Sequence, residues 1–205
     1  MIGGGQLARM SAEAATALGI GFRVLAQLPS DPAAQVVRDV HFGSHDDIDS
    51  LRAFAEGCEV VTFDHEHVPP EHLEQLEALG VAVRPGPSAL FHAQDKVHMR
   101  QSLTDIGVLC PRWRVVSTLD QVTEFAAQVS WPVVLKTSRG GYDGRGVWVI
   151  KSSAQAAEVL AIPLAAGAQW LSEEHIDFTQ ELAAQVARSP HGQAVAYPVA
   201  RTTQI

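Results

Sequence analysis

Two spacings of apolar residues alternate along the first ninety positions of the chain. Short runs rich in β-branched residues at 22–25, 40–42, 60–63 and 81–84 read as strands, while 6–18, 48–56 and 70–79 carry apolar residues three to four apart, the spacing of a helix with one buried face. Strands alternating with helices of this length predict βαβ units and a mostly parallel sheet. The opening Met1-Ile-Gly-Gly-Gly reads as the end of a strand already entering its turn. The first strand is therefore expected to be incomplete, in a sheet that would place it near the centre.

After Pro85-Gly-Pro87 the pattern changes. Residues 90–106 read as largely helical, with Lys96 after Asp95 at a helix start and Val97, Leu103 and Ile106 facing inward, and Pro111 then breaks the chain toward a strand at 113–116. Thr118-Leu-Asp-Gln121 has the form of a capping box for a helix through residue 128. Strands at 133–136 and 147–150 flank a glycine-rich loop, and a helix at 154–160 leads to a strand at 170–176. Residues 182–187 and 194–199 form a hairpin around Ser189-Pro-His-Gly192. The expected class is α/β and α+β: an N-terminal α/β domain over 1–88, a helical connection over 89–112, a small α+β lid over 113–175, and over 176–205 the start of a further sheet. That sheet reaches Ile205 without a natural ending, so the chain reads as truncated at both ends.

Composition narrows the function. With 205 residues and 46% apolar content the chain can bury a proper core in one large or two small domains. A net charge of −8 argues against general nucleic-acid binding, so any basic site must be local. Cys58 and Cys110 stand far apart without a C-x-x-C partner, which indicates neither a disulfide framework nor a zinc site. There is no signal-peptide pattern, and the apolar runs fall short of the roughly 20 residues that span a bilayer. A soluble, cytoplasmic protein is expected.

The richest chemistry lies in Lys136-Thr-Ser-Arg-Gly-Gly-Tyr-Asp-Gly-Arg-Gly146. Gly140, Gly141, Gly144 and Gly146 allow close backbone approach to a ligand, and Lys136, Arg139 and Arg145 bring positive charge to the same place. A P-loop would need G-x-x-x-x-G-K-[ST] opening a helix, whereas this loop joins two strands. It suits the phosphate-covering lid of an ATP-grasp ligase; a plain flexible hairpin is the bland alternative. Gly3-Gly-Gly-Gln-Leu-Ala8 fits G-x-G-x-x-A, but the strand after it ends in Ala26-Gln27, where an NAD protein needs an acidic residue. Phosphate binding without NAD is the better expectation there. In Asp64-His-Glu-His67 an extended backbone would turn Asp64 and Glu66 one way and His65 and His67 the other. That split argues against a metal site and leaves polar recognition by Glu66 beside a simple solvated loop. Lys96 is a candidate phosphate contact, if not merely a solvated lysine. Glu173-Glu-His-Ile176 at a strand end could offer its backbone to an adenine edge, with Glu181 accepting ribose hydroxyls; a charged edge strand is the alternative.

Taken in order, the Gly3–Met10 turn, Glu66, Lys96, Lys136, the 140–146 loop and the 173–181 segment make the whole chain resemble the 5-(carboxyamino)imidazole ribonucleotide synthases. These are ATP-grasp ligases of purine biosynthesis, and Gly-Gly-Gly-Gln-Leu-Ala-Arg-Met and Gly-Gly-Tyr-Asp-Gly-Arg-Gly are the strings that single them out. The resemblance implies a biotin-carboxylase-like N-terminal domain followed by an ATP-grasp domain truncated at its C-terminal part. It implies that ATP phosphorylates bicarbonate to carboxyphosphate, whose carboxyl passes to the amine of 5-aminoimidazole ribonucleotide. Lys96 and Lys136 would serve the phosphates, and Gly141, Tyr142, Asp143, Gly144, Arg145, Gly146 and Val147 the closing loop. Glu173, Glu174, His175 and Ile176 would hold adenine and Glu181 the ribose, with His92 and Gln204 as further nucleotide contacts. Gly5, Gln6, Glu66, Tyr142 and Arg145 would meet the ribonucleotide, and Asp143, Arg145 and Lys136 would be catalytic, Asp143 orienting or deprotonating the amine. Asp64 stands where the family is expected to carry Glu, and His92 where relatives often have Arg. Mg²⁺ ligands are expected beyond Ile205, so no metal ligand is assigned within the chain, and a homodimer is implied. Another ATP-grasp ligase acting on a different acceptor, or a non-catalytic nucleotide-binding fragment, remain the rival readings; an NAD oxidoreductase ranks last.

Overall fold

A computed structural model describes residues 1–141 and 145–203. Tyr142, Asp143, Gly144 and Gln204, all singled out above, lie outside the described residues.

The N-terminal half forms the expected parallel sheet. β1 (Arg23–Ala26) pairs with β2 (Asp39–Phe42), and β3 (Val60–Val61) with β4 (Ala82–Val83), each pair parallel. Ile2 joins the two pairs through parallel bridges to Leu25 and Phe63. Its N–H donates to the Thr62 carbonyl at 2.7 Å, its own carbonyl accepts from Asp64 N–H at 3.2 Å, and its side chain is fully buried. The place expected for an opening strand is thus held by residues 1–3. Helices α1 (Gln6–Ala17), α2 (Ile48–Ala55), α3 (Pro70–Ala78) and α4 (Pro87–Gln94) accompany the sheet, and Leu51, Phe54, Leu73, Leu76 and Leu90 join Ile2 and Val61 in its main core.

The largely helical stretch over 90–106 is divided between α4 and a second helix that starts at Lys96, as expected. Asp95 breaks it: its backbone is extended (φ −127°, ψ 109°), and its carboxylate accepts from the N–H groups of Val97 and His98, capping α5 (Lys96–Asp105). Val97 and Leu103 are half-buried, but Ile106 is 75% exposed, which corrects its inward placement. At about 100° per residue these positions do not line up on one face; Ile106 falls on the opposite side from Val97.

The C-terminal half is built on β5 (Trp113–Val116), β6 (Val133–Thr137), β7 (Val147–Ile150) and β8 (Trp170–Glu174), in the antiparallel order β5-β8-β6-β7. α6 (Leu119–Val129) and α7 (Ser153–Leu160) pack on one face, enclosing Phe125, Val133, Leu135, Ile150 and Trp170. The expected hairpin follows in interrupted form. β10 (Val186–Arg188) pairs with β11 (Ala194–Ala196), and β9 (Glu181–Ala183) with β12 (Ala200–Thr202), both antiparallel. Among the described residues no helix is long and apolar enough to cross a membrane.

Candidate active site

Strand alternation places the charged groups. In the β6–β8 register Val134 faces Glu173 and Lys136 faces Leu171, so Lys136 and Glu173 share the sheet face turned away from Leu135 and Trp170. The Glu173 side chain is only 4% exposed. One of its oxygens accepts from Arg100 Nε at 2.6 Å and the other from Lys136 Nζ. Burial alone would raise the Glu173 pKa; the hydrogen bonds from Arg100 and Lys136 outweigh it and hold the carboxyl below its ordinary range. Stability gained from this lowered pKa is in place above the unfolded glutamate value, about 4.3, and is lost as pH falls through the lower folded value. Glu173→Gln is therefore expected to be markedly less stable than the native chain near neutral pH and to converge with it in acid. Urea midpoints measured across that range would test this, and a gap that stayed constant with pH would refute it.

The root of the glycine loop is fixed from two sides. Ser138 is fully buried; its N–H donates to the Gln169 carbonyl at 2.8 Å and its hydroxyl accepts from Gln169 N–H at 2.9 Å. From the other side, Lys96 N–H donates to the Ser138 carbonyl at 2.9 Å, and Arg139 Nε donates to Asp95 at 2.7 Å while its guanidinium lies 5.2 Å from the Phe91 ring centroid. The two loop arms pack too closely for side chains. A Cβ on Gly141 would stand 2.6 Å from the Arg145 carbonyl oxygen, and one on Gly146, whose φ is +72°, 2.6 Å from Thr137 Oγ1. Val147 continues into β7 opposite Lys136, and Arg145 is exposed.

Lys96 Nζ reaches the Gly141 carbonyl at 3.4 Å. Its pKa is lowered by burial and then by the nearby Lys136 cation, with Glu66, Asp95 and Glu173 opposing. Two ammonium groups close enough to feel each other, under a loop root of exposed peptide, form an electrostatic trap for an anion carrying several charges. A cleft of about 220 Å³ beside them is lined by Glu66, Gln94, Lys96, Arg139, Gly140 and Gly141.

Gly5 and Gln6 lie instead in a second cleft of about 400 Å³, and His67 lines both. The turn before α1 is already occupied by carboxylates. Asp64 accepts from Ala8 N–H at 3.2 Å, and its other oxygen is buried without a partner against Gly3, where a Cβ would come within 1.8 Å of it. Asp31 accepts from the N–H groups of Gln27 and Leu28 at 2.9 and 3.0 Å and lies under Gly4. Two carboxylates disfavour a phosphate at this helix start and favour hydrogen-bond donors, which corrects the phosphate expectation for the turn. Residues 64–66 bend rather than extend, so Asp64 and Glu66 enter different clefts. His65 stacks on His67 with ring centroids 5.5 Å apart and meets His45 at 4.7 Å. Among the described residues no group of three or more His, Cys, Asp or Glu is placed to hold a metal ion.

Other expected contacts scatter. Glu174 is gripped by Arg112 at 2.9 and 3.0 Å, and its N–H donates to the Arg112 carbonyl at 2.8 Å, while Glu173 is paired in the sheet on both sides. His175 and the 44% exposed Ile176 follow the strand end, and Glu181 opens β9. His92 lies against His98 on α5, ring centroids 4.6 Å apart. Arg100 and Asp95 escaped sequence reasoning, although Arg100 sits four positions after Lys96, on the same helix face.

The ATP-grasp domain family matches residues 101–205, and the ribonucleotide synthetase preATP-grasp domain family matches residues 1–94. The N5-carboxyaminoimidazole ribonucleotide synthase of Mycobacterium tuberculosis (strain ATCC 25618 / H37Rv) is 52% identical over 204 residues, covering 100% of this chain and 48% of that protein. An N5-carboxyaminoimidazole ribonucleotide synthetase solved as its ADP complex superposes with a TM-score of 0.88 at 34% identity, covering 100% of this chain and 53% of that one. The synthase from Aspergillus clavatus, solved with ADP and 5-aminoimidazole ribonucleotide, gives a TM-score of 0.82 at 26% identity, covering 100% of this chain and 54% of that one. The chain spans about half the length of the curated relatives it matches.

Proposed function

Because the chain belongs to the ATP-grasp family, with a ribonucleotide synthetase preATP-grasp domain ahead of it, we propose that it contributes to ATP- and bicarbonate-dependent carboxylation of the amine of 5-aminoimidazole ribonucleotide. The observation that carries this reading is the placing of Lys96, 3.4 Å from the Gly141 carbonyl, and Lys136, opposite Val147 in the ladder, at the root of the glycine loop. In this reaction a bicarbonate oxygen attacks the γ-phosphorus of ATP, ADP leaves, and carboxyphosphate forms. The exocyclic amine then attacks the carboxyl carbon, a C–N bond forms as phosphate departs, and the amine loses a proton.

Within this reading Lys96 and Lys136 neutralise charge on the transferring phosphoryl group, and the loop over 141–147 closes on it to exclude water from the labile anhydride. Adenine sits against the backbone of 173–176, with its ribose near Glu181. Gly5, Gln6 and Glu66, from the two clefts that His67 joins, receive the ribonucleotide, and Asp143 takes the amine proton. Residues 1–88 would be the substrate domain, 89–112 the connection, 113–175 the lid and 176–205 the start of the second ATP-grasp subdomain, in a cytoplasmic homodimer. The described residues do not offer a carboxylate set suited to Mg²⁺, so their proposed work is to bind phosphate and orient substrate. The test is ADP release by the full-length gene product. Sustained release is expected only with bicarbonate and 5-aminoimidazole ribonucleotide together, and release indifferent to the ribonucleotide would overturn the assignment.

A further inference from the structure

The carboxylate of Glu173 is divided between two cations that come from different parts of the chain. Lys136 reaches it along the sheet from β6, and Arg100 reaches it from α5 at 2.6 Å. The Arg100 side chain is 17% exposed and that of Glu173 4%, so this contact is screened little by solvent. Two cations sharing one carboxylate leave one positive charge over. If Glu173 faced Lys136 alone, the pair would be neutral, and the ammonium group would be held by a carboxylate side chain only 4% exposed. Burying an unshared carboxylate would also tighten its hold on Lys136, because the remaining cation alone offsets the desolvation cost.

From this arrangement we propose that Arg100 is a positioning residue for nucleotide phosphate: by occupying one oxygen of Glu173, it keeps Lys136 available to the phosphates of ATP. The inference rests on the ATP reading above but adds a residue with no ligand contact of its own. Helix α5 joins three such functions. Asp95 at its start holds Arg139 at the root of the loop, Lys96 reaches the Gly141 carbonyl, and Arg100, one turn on, governs Glu173 and Lys136. α5 has no fully buried residue, so these polar links act beside the half-buried Val97, Met99 and Leu103 in holding it in place.

The experiment measures KM for ATP and KM for 5-aminoimidazole ribonucleotide in the full-length gene product and three variants. Arg100→Met is expected to raise the ATP KM roughly ten-fold, the scale of one lost charge interaction at short range, with the ribonucleotide KM unchanged. Arg100→Lys, which keeps the charge, should stay within about three-fold of the native value. Arg100→Met combined with Glu173→Gln should recover most of the ATP affinity, because removing the carboxylate releases Lys136. An ATP KM for Arg100→Met within two-fold of native, or equal losses for both substrates, would overturn the role. So would a double variant no better than the single one, which would make Arg100 a purely structural partner. Should Arg100→Met fail to fold, the Arg100→Lys and double variants still decide the matter. A native protein that does not use ATP at all would instead overturn the proposed reaction itself, a result distinct from each of these.

Discussion

Lys136→Ala is expected to lower kcat/KM for ATP by about 10²–10³-fold, the usual loss when one fixed donor to a developing charge is removed. The reason is geometric. Lys136 is held at the end of β6 by ladder bonds on both sides, to β7 and β8, and its ammonium is steered by Glu173. A cation so placed has little freedom to lose when the phosphoryl group develops charge, so its contribution appears in the transition state rather than in ground-state binding alone. The ribonucleotide KM should change little, since Gly5, Gln6 and Glu66 line two clefts whose walls do not include Lys136. Lys136→Arg should restore only part of the loss, because a planar fork cannot replace a compact ammonium in the same space. Steady-state kinetics with each substrate varied in turn provides the check, and a loss below ten-fold would refute the assignment.

The second large effect concerns stability. Gly3→Ala is expected to destabilise the N-terminal domain by about 2–4 kcal/mol, combining the cost of a side chain at an unfavourable positive φ with loss of a helix cap. Gly3 has φ +114°, and a Cβ there would fall 1.8 Å from Asp64 Oδ1. Asp64 could yield only by leaving Ala8 N–H, the contact that caps the first turn of α1. Gly21 provides the control: a Cβ there meets nothing within 4 Å. Gly21→Ala should stay within about 0.5 kcal/mol of the native chain. Denaturant unfolding of the three proteins tests the pair, and equal midpoints for both substitutions would refute the explanation.

Elements with strong periodicity were legible before any coordinates. α1, α2, α3, the β6–β7 hairpin and the parallel N-terminal sheet fall within a residue or two of the expected ranges. The Thr118 cap was legible too: its hydroxyl accepts from Gln121 N–H, although the Gln121 side chain reaches Ser117 N–H, one residue before the expected partner. The same device recurs unforeseen at Ser152 and Gln155. Lys136 stands out because it opens the glycine loop, whereas Lys96, forty positions earlier, is singled out by the resemblance rather than by its spacing. Arg100 could not be chosen, because its meaning depends on Glu173, seventy-three residues away. That the Glu173 carboxylate is divided between Arg100 and Lys136 was equally illegible, because both partners come from elsewhere in the chain. The 64–67 alternation failed because it assumed extended backbone, whereas the chain bends there and Asp64 turns to α1.

The polar character of α5 also governs how the molecule holds together. No apolar side chain between Leu90 and Val116 is buried, so the core built on Ile2 and Phe54 and the core built on Phe125 and Trp170 have no hydrophobic continuity through the stretch that links them. Each half is therefore expected to melt as its own unit, which two resolved calorimetric transitions would show and a single two-state transition would refute. What passes along α5 is carried by Asp95, Lys96 and Arg100, and these links differ in their response to salt: the pair with the 42% exposed Arg139 side chain weakens as ionic strength rises, while the little-exposed Arg100–Glu173 contact is largely spared. Salt thus loosens the loop root before it loosens the hold on Glu173.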